Sequence, residues 1–441
     1  MRDKVRSLLA DLVSAGSLLP EEEGERWAVE GRAPAAVVAP AAEEEVGLVL
    51  ERASLEGWTV LPAGYGRWPQ GGGSVAADVV ISTRRIRDVV HYEAADLTFT
   101  AGAGISLGSL AEATGAHGQW LPLDPPGGHD GSLGAAVATG VGGPLRQWFG
   151  RPRDHVLGLT LVSGDGRVLR WGGRVVKNVA GFDVTRLCIG SWGALGVITS
   201  VSARLFPLPE VDVTVMVDGA DAPSLLPLAQ ALALSPLPLA AVELLDPLGG
   251  IRDGGGEGAA LVVRLLGSRT EVAAMEERIR QEPAGGKALR RLEGGESRGF
   301  HRRLQAWEDG AHLVFRLAAL PSELGQVLDL LGEWEAPLGW QQGRRERSMR
   351  MAAHVGAGIL RVAVTEIPQG GGGLEDWIRA VRRLRGCVEE LGGSLMLSSA
   401  PPSLMREAGV WGGAGRVDAI LVALKRQFDP QGILVPGRMA G

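Results

Sequence analysis

Only two cysteines, Cys188 and Cys387, occur in the 441 residues. The chain therefore cannot ligate an iron–sulfur cluster or a zinc ion with four thiolates of its own. Nothing in that cysteine usage points to an oxidising compartment either. Lysine is nearly as rare, at positions 4, 177, 287 and 425 among 45 basic side chains, so arginine carries the positive charge. Nor is there an excess of that charge: the formal net charge is −6, whereas a nucleic-acid binder carries a basic face. No run approaches the roughly 20 apolar residues of a membrane helix. The opening Met1-Arg-Asp-Lys-Val-Arg-Ser mixes charge where a signal peptide has an apolar core. These absences predict a cytoplasmic protein with no nucleic-acid partner and no transmembrane segment. What is present is 45% hydrophobic and 22% charged residues, enough for two or three domains' worth of core. The 66 glycines follow no Gly-X-Y period, which excludes collagen and calls for many tight turns.

Periodicity predicts a helix over 3–15, an acidic linker at Glu21-Glu-Glu-Gly-Glu, and strands near 36–39, 59–62, 78–81 and 97–101. A helix is expected over 43–56, and 156–206 reads mostly as strands, giving an α+β block. From Val211 the character changes. Strands at 211–217, 259–266, 312–317 and 359–364 alternate with helices at 223–234, 271–281, 323–334 and 374–391, while 283–300 reads as a loop. This alternation predicts a second domain with helices on one face of a sheet. The tail from Lys425 to Met439 has helix-stop and turn chemistry and is expected to return to the first domain.

Four glycine-rich segments carry the chemistry. Leu61-Pro-Ala-Gly-Tyr-Gly-Arg-Trp-Pro-Gln-Gly-Gly-Gly follows a strand. Its backbone N–H groups can turn inward as an anion nest with Arg67 adding a fork of donors, a fit for a pyrophosphate; a flexible surface turn fits equally well. Ala101-Gly-Ala-Gly-Ile-Ser-Leu-Gly resembles a dinucleotide fingerprint, but its third glycine, Gly108, falls one place late and no acidic ribose partner follows, so NAD is rejected. Around Leu123-Asp-Pro-Pro-Gly-Gly-His-Asp-Gly-Ser-Leu-Gly-Ala-Ala, the small residues Gly131, Gly134, Ala135 and Ala138 let a flat ring or another backbone approach. The fourth segment runs through Lys177-Asn-Val-Ala-Gly-Phe-Asp to Gly190-Ser-Trp-Gly-Ala-Leu-Gly-Val-Ile-Thr. Trp120, Trp148 and Trp192 lie within these segments, either flanking a ring or in the core.

Taken in order, the four segments resemble the FAD-binding domain of the vanillyl-alcohol-oxidase/PCMH flavoprotein superfamily. More narrowly, Gly143-Pro, Arg146, Gly150, Arg153-Asp154, Val156-Leu157-Gly158, Lys177-Asn-Val-Ala-Gly-Phe-Asp and the tail Phe428-Asp-Pro-Gln-Gly-Ile with Pro436-Gly-Arg-Met are similar to the smaller FAD-binding subunit of bacterial glycolate oxidase. The resemblance implies an α+β fold: a two-lobed PCMH-type FAD-binding domain at 33–207 and an α/β cap at 208–395. An N-terminal helical extension over 1–32 precedes them, and a tail over 396–441 packs back on the FAD domain. It implies that Pro62, Ala63, Gly64, Tyr65, Gly66, Arg67 and Trp68 hold the pyrophosphate. Pro126, Gly131, Ser132, Gly134, Ala135, Thr139, Gly193, Gly196, Val197, Ile198 and Arg438 then line the rest of the cofactor. Some members tether the flavin through a histidine in the first turn; residues 61–74 contain none, so non-covalent FAD is expected.

The larger subunit of such complexes and the related D-lactate dehydrogenases carry His-x-Gly-Asp-Gly-Asn-Leu-His and, later, Gly-Gly-Ser-x-x-x-Glu-His, which resemble a divalent-metal site for a 2-hydroxy acid. Here the counterparts are His354-Val-Gly-Ala-Gly-Ile-Leu-Arg361 and Gly392-Gly-Ser-Leu-Met-Leu-Ser398-Ser399. With a cation where a ligand would stand, no metal site is expected, and His354 reads as a satisfied packing histidine. Arg344, Arg345 and Arg361 are candidates for a carboxylate clamp, with solvated surface arginines as the plainer reading. No catalytic base is identifiable. The resemblance implies an FAD-dependent oxidoreductase subunit acting on a small 2-hydroxy acid, with a larger FAD subunit and an iron–sulfur subunit as partners, cytoplasmic and peripheral to the inner membrane through them. A self-contained FAD dehydrogenase and an inert structural FAD subunit are the alternatives.

Overall fold

The computed structural model describes residues 2–68, 71–173, 183–246, 258–282, 289–335, 349–365, 373–412 and 417–438. The chain divides into two compact units. The first comprises Met1–Gly142, Arg151–Leu208 and Gly413–Gly441; the second comprises Gly143–Gly150 and Pro209–Gly412. Residues 1–32 thus fold with the first unit, and of the expected 396–441 tail the part up to Gly412 stays with the second.

The first unit holds two sheets, each with its own core. Ala36–Val38, Val79–Ser82 and Val60–Ala63 form a three-stranded parallel sheet with Val79–Ser82 in the middle. Every residue of Ala36–Val38 and Val79–Ser82 is buried, the continuous apolar pattern of parallel strands covered on both faces. The helix Glu43–Glu56 packs Val46, Val49, Leu50 and Ala53 into this core, and its three leading glutamates complement the positive end of the helix dipole. The helix expected over 3–15 stops at Ala10. The second sheet is antiparallel and five-stranded, in the order Val89–Glu93, Thr98–Gly102, Val197–Arg204, Val156–Val162, Val168–Gly172. Along Val197–Arg204, Val201 and Ala203 point into the core while Ser200, Ser202 and Arg204 are half-exposed, the alternation of a sheet with one covered face.

The chain's last described residues tie the two sheets together. Leu434 bridges to Val60 in parallel fashion. The fully buried carboxylate of Asp429 accepts the backbone N–H groups of Ile433 (3.0 Å) and Leu434 (2.8 Å) and pairs with Lys425 at 2.8 Å. Lys425 also donates to the Leu434 carbonyl at 2.7 Å and the Ala194 carbonyl at 3.3 Å.

The second unit is built on one antiparallel sheet. Its eight strands run in the order Leu289–Glu293, Val211–Gly219, Ala259–Gly267, Ala241–Asp246, Met349–His354, Ile359–Val364, Leu313–Ala318, Ser394–Ser399. One face is apolar: Val213, Val215, Val242, Leu244, Leu261, Val263, Leu360, Val362, Phe315 and Leu397 pack against the helices Ala222–Ala233, Arg269–Arg280, Leu324–Glu335 and Leu374–Glu390. The expectation of helices on one face only is corrected. The helix Gly295–Gln305 covers part of the opposite face, burying Phe300 and Leu304 against Met216, Leu245, Val262, Ala352 and Ala363. That helix and the strand Leu289–Glu293 also replace most of the loop expected at 283–300. Phe300 and Leu304, four residues apart, form its apolar stripe, and the arginines and glycines around them masked the helical period. Residues 283–288 lie outside the described residues. The strands Ala241–Asp246, Met349–His354 and Ser394–Ser399 were not announced by the pattern either. The first two carry a buried ionisable residue, Glu243 and His354, on the sheet's polar face, which breaks the apolar run a sequence search relies on.

Candidate cofactor cleft

Within the first unit a cleft enclosing about 630 Å³ out to its open mouth lies between the two sheets' loop ends. Its lining draws on three of the glycine-rich segments and the tail. Pro62, Ala63, Gly64, Gly66, Arg67 and Trp68 come from the turn after Val60–Ala63. Gly134, Ala135 and Thr139 come from the helix Leu133–Thr139, and Gly193, Gly196, Val197 and Ile198 from the entry to Val197–Arg204. Arg438 closes the list from the tail. Tyr65, Pro126, Gly131 and Ser132 are not in the lining but hold residues that are. The Tyr65 hydroxyl donates to the Gly104 carbonyl at 2.9 Å, and the Trp68 indole N–H donates to the Pro126 carbonyl at 3.1 Å. Gly131 lies under the Trp68 ring, where a Cβ would come within 2.6 Å. Ser132 caps the helix Leu133–Thr139, accepting the Ala135 N–H at 3.3 Å.

Small residues are required here by space. A Cβ at Gly64 would collide with the Ser132 hydroxyl, and one at Gly134 would sit 2.5 Å from the Ala103 Cβ. Gly66 has φ +79°, a left-handed conformation that lets the turn fold back toward the cleft, and the Trp27 ring lies against it. Trp27 belongs to the N-terminal extension, and nothing in its sequence context placed it at this site; Thr83 is a further lining residue that the motifs missed, while Leu61, Ala138 and Trp192 line the cleft from segments already singled out.

Trp192 is the most unusual of these. Its backbone has φ +53°, a conformation costing a non-glycine residue about 1–3 kcal/mol. Its N–H donates to the Ala138 carbonyl at 2.8 Å, and its ring covers Gly71 and Gly72. Its carbonyl accepts from Arg438 Nη1 at 3.3 Å, while Arg438 Nε donates to the Gly73 carbonyl at 3.0 Å. Arg438 is 4% exposed; burial pushes its guanidinium down to about 10, which leaves it charged at neutral pH. The cleft thus offers a flat apolar wall, close backbone approach, and two arginines. A dinucleotide with a planar ring and an anionic pyrophosphate fits this set. Of the other two tryptophans, Trp148 is 56% exposed and Trp120 half-buried. Lys177 and the motif to Phe182, and Arg344 and Arg345, lie outside the described residues.

The second unit holds a separate polar feature. Glu243 and His354 are directly paired across neighbouring strands, 1% and 3% exposed, with His354 Nδ1 2.5 Å from Glu243 Oε2. Arg361 is 6% exposed rather than solvated; its Nε donates to Glu308 at 2.6 Å and its guanidinium lies over the Trp307 ring at 5.4 Å. Burial, then the charges of Arg361, Arg146 and Arg316, hold His354 well below the usual imidazole range. His354 is therefore not a satisfied packing residue: Nε2 has no hydrogen-bond partner among the described residues. No cluster of three or more metal-ligating side chains occurs among the described residues.

Residues 34–172, which supply much of this unit, match the family model described as FAD binding domain. Among relatives, glycolate oxidase subunit GlcE of Escherichia coli (strain K12) is 38% identical over 194 residues, 44% of this chain and 55% of the relative. A probable mitochondrial D-lactate dehydrogenase of Danio rerio is 32% identical over 239 residues, 53% of this chain and 48% of the relative. The chain thus spans about half the length of these curated relatives. A solved alkyldihydroxyacetonephosphate synthase shares the fold at TM-score 0.67 and 17% identity, covering 92% of this chain and 76% of that one. No helix among the described residues is long and apolar enough to cross a membrane.

Proposed function

We propose that the chain is an FAD-dependent oxidoreductase subunit that oxidises small 2-hydroxy acids, working beside a larger flavin subunit and an iron–sulfur subunit in a glycolate oxidase-like complex. The observation that carries this reading is the first unit's cleft, whose walls come from segments far apart in the chain and leave room where side chains would otherwise stand. In it, the turn over 62–68 with Arg67 holds the pyrophosphate, residues 131–139 and 193–198 line the ring and ribityl chain, and Arg438 supplies a buried positive charge. FAD supplies hydride acceptance when bound. The protein's part is to orient it, to keep water from one face with Trp192, and to hold it without a covalent bond, since residues 61–74 contain no histidine. On this reading the first unit, with residues 1–142, 151–208 and 413–441, is the flavin domain, and the second, with residues 143–150 and 209–412, is the cap.

Electrons must then leave by another chain. The two cysteines cannot ligate a cluster, and Cys188 is buried with its thiol pushed up to about 12. Kinship with the GlcE subunit and with a D-lactate dehydrogenase supports the substrate class and the multi-subunit setting; on this reading the chain works in the cytoplasm and meets the membrane through its partners. The test is an anaerobic absorbance spectrum of the purified chain before and after glycolate and D-lactate. Flavin bands that bleach with either acid support the reading. Bands that persist with both, in the presence of the partner subunits, overturn the substrate class.

A further inference from the structure

The amino-terminal extension is stitched to the first unit's cleft. Along the outer edge of Ala36–Val38, the Ala39 N–H donates to the Ser17 carbonyl at 2.7 Å and the Leu19 N–H to the Val37 carbonyl at 2.9 Å. The short helical stretch Glu21–Trp27 follows and meets the turn over 62–68. There Arg26 Nη2 donates to the Tyr65 carbonyl at 2.6 Å, and its guanidinium lies over the Trp27 ring at 5.3 Å. Glu23 adds an ion pair to Arg84 at 3.4 Å. The benzo edge of the Trp27 indole lies against Gly66, where a Cβ would come within 2.9 Å of Cη2. Trp27 is 7% exposed and lines the cleft, and its Nε1 is buried with no hydrogen-bond partner among the described residues.

That orphan sets Trp27 apart from the rest of the wall. The Trp68 indole donates to the Pro126 carbonyl, Arg438 donates to two carbonyls, and the Thr83 and Thr139 hydroxyls donate to the Ala63 and Ala136 carbonyls. Of the side chains lining the cleft, Trp27 alone has a buried nitrogen left without a partner among the described residues. Leaving such a donor unmade costs about 1–3 kcal/mol. An indole N–H can only donate, so the group that completes it is an acceptor brought in by the ligand of the cleft. The ring stands at Gly66, in the middle of the turn suited to an anion, and an anionic oxygen takes the strongest bond from an N–H. We infer that Trp27 is a cofactor-binding residue whose indole N–H donates to a pyrophosphate oxygen of the dinucleotide, with residues 17–27 as the strap that carries it there. Gly66 then meets two demands at once, a left-handed turn at φ +79° and room for the Trp27 ring. The inference rests on the flavin reading of the cleft and assigns the extension a part in it.

Nuclear magnetic resonance of the full chain, freed of flavin by dialysis and labelled at the indole nitrogens, tests it. The Trp27 peak is identified by its absence in Trp27→Phe, which keeps a flat apolar ring and removes the N–H. FAD and ADP are each expected to move that peak downfield, the mark of a new anionic acceptor, while riboflavin leaves it in place. Flavin-fluorescence titration of Trp27→Phe should give an FAD dissociation constant raised tenfold or more, the worth of one hydrogen bond to a charged group. Should Trp27→Phe fail to fold by circular dichroism, Trp27→Tyr assigns the peak, and its shift in the unmodified chain decides. A peak unmoved by both nucleotides, or an FAD dissociation constant unchanged in Trp27→Phe, overturns the assignment. A peak that moves with FAD and riboflavin but not with ADP overturns it too, by placing the N–H at the flavin ring. FAD binding that leaves Trp27 unmoved sinks this inference alone, whereas a chain that takes up no FAD sinks the cofactor reading with it. Bleaching by 2-hydroxy acids, measured separately, decides the substrate class whatever Trp27 does.

Discussion

The two units build their polar surroundings from opposite materials. The first builds its cleft from absences: glycines and alanines that let a flat molecule approach the backbone. The second builds its polar face from presences, with Glu243, His354, Arg361, Asp212 and Arg264 buried on one side of a sheet whose other side carries the main apolar core. Backbone and small side chains keep their chemistry whatever the pH, and they leave a spacing signature in the sequence. Buried ionisable side chains depend on partners brought from distant strands, and they leave none.

The comparison breaks most visibly at Gly64. Gly64→Val should cut FAD affinity a hundredfold or more, because the new side chain meets the Ser132 hydroxyl, while the second unit's unfolding is unchanged. Flavin-fluorescence titration with parallel chemical denaturation checks both halves; unaltered FAD affinity would remove the 62–68 turn from the cofactor site. In the second unit the matching blow is Asp212→Asn. Arg264 pairs with Asp212 through Nε at 3.2 Å and Nη2 at 2.8 Å, and Ser297 donates to the same carboxylate at 2.6 Å. Removing the charge strands a buried guanidinium and should cost about 3–5 kcal/mol in urea unfolding, with FAD binding retained. A loss of FAD binding in that variant would mean the two units do not behave independently.

A smaller effect is expected at Arg438→Met. It loses the bonds to the Gly73 and Trp192 carbonyls and one positive charge, and FAD affinity should fall about tenfold, one charged hydrogen bond's worth. The smallest is a slope. His301 is buried against Thr214 (2.9 Å), and burial, then Arg264, hold its pKa well below the usual range. Below about pH 6.5 the unfolded chain takes up a proton there that the folded one refuses, so stability is intact above that pH and falls as pH drops, by about 1.4 kcal/mol per unit. His301→Gln should flatten that part of the urea-midpoint profile between pH 6.5 and 5; an unchanged slope would assign it to other groups.

Legibility in the sequence followed the same divide. Four segments with fixed glycine spacing could be read directly, because a cradle that must lack side chains writes itself as small residues at set intervals. The helix expected over 43–56 matches Glu43–Glu56 because its apolar stripe is uninterrupted. Trp27 could not be read, since a lone tryptophan in an acidic stretch has no period to announce its partner. The strand Ala241–Asp246 was missed for the related reason that Glu243 interrupts its apolar run, and only the fold supplies the His354 that makes this glutamate tolerable. The same pairing is why Arg361 read as a surface residue: its burial depends on Glu308 and Trp307, more than fifty positions upstream.

The clasp formed by Lys425, Asp429 and the strand-like segment at Leu434 has a consequence for how the molecule is made. The sheet edge at Val60 and the floor under Ala194 wait for residues that leave the ribosome only after the whole second unit. The first unit therefore cannot mature from its amino end as synthesis proceeds. A chain cut short anywhere before residue 425 leaves the sheet edge at Val60 and the Ala194 carbonyl without these partners, an edge that proteases can reach.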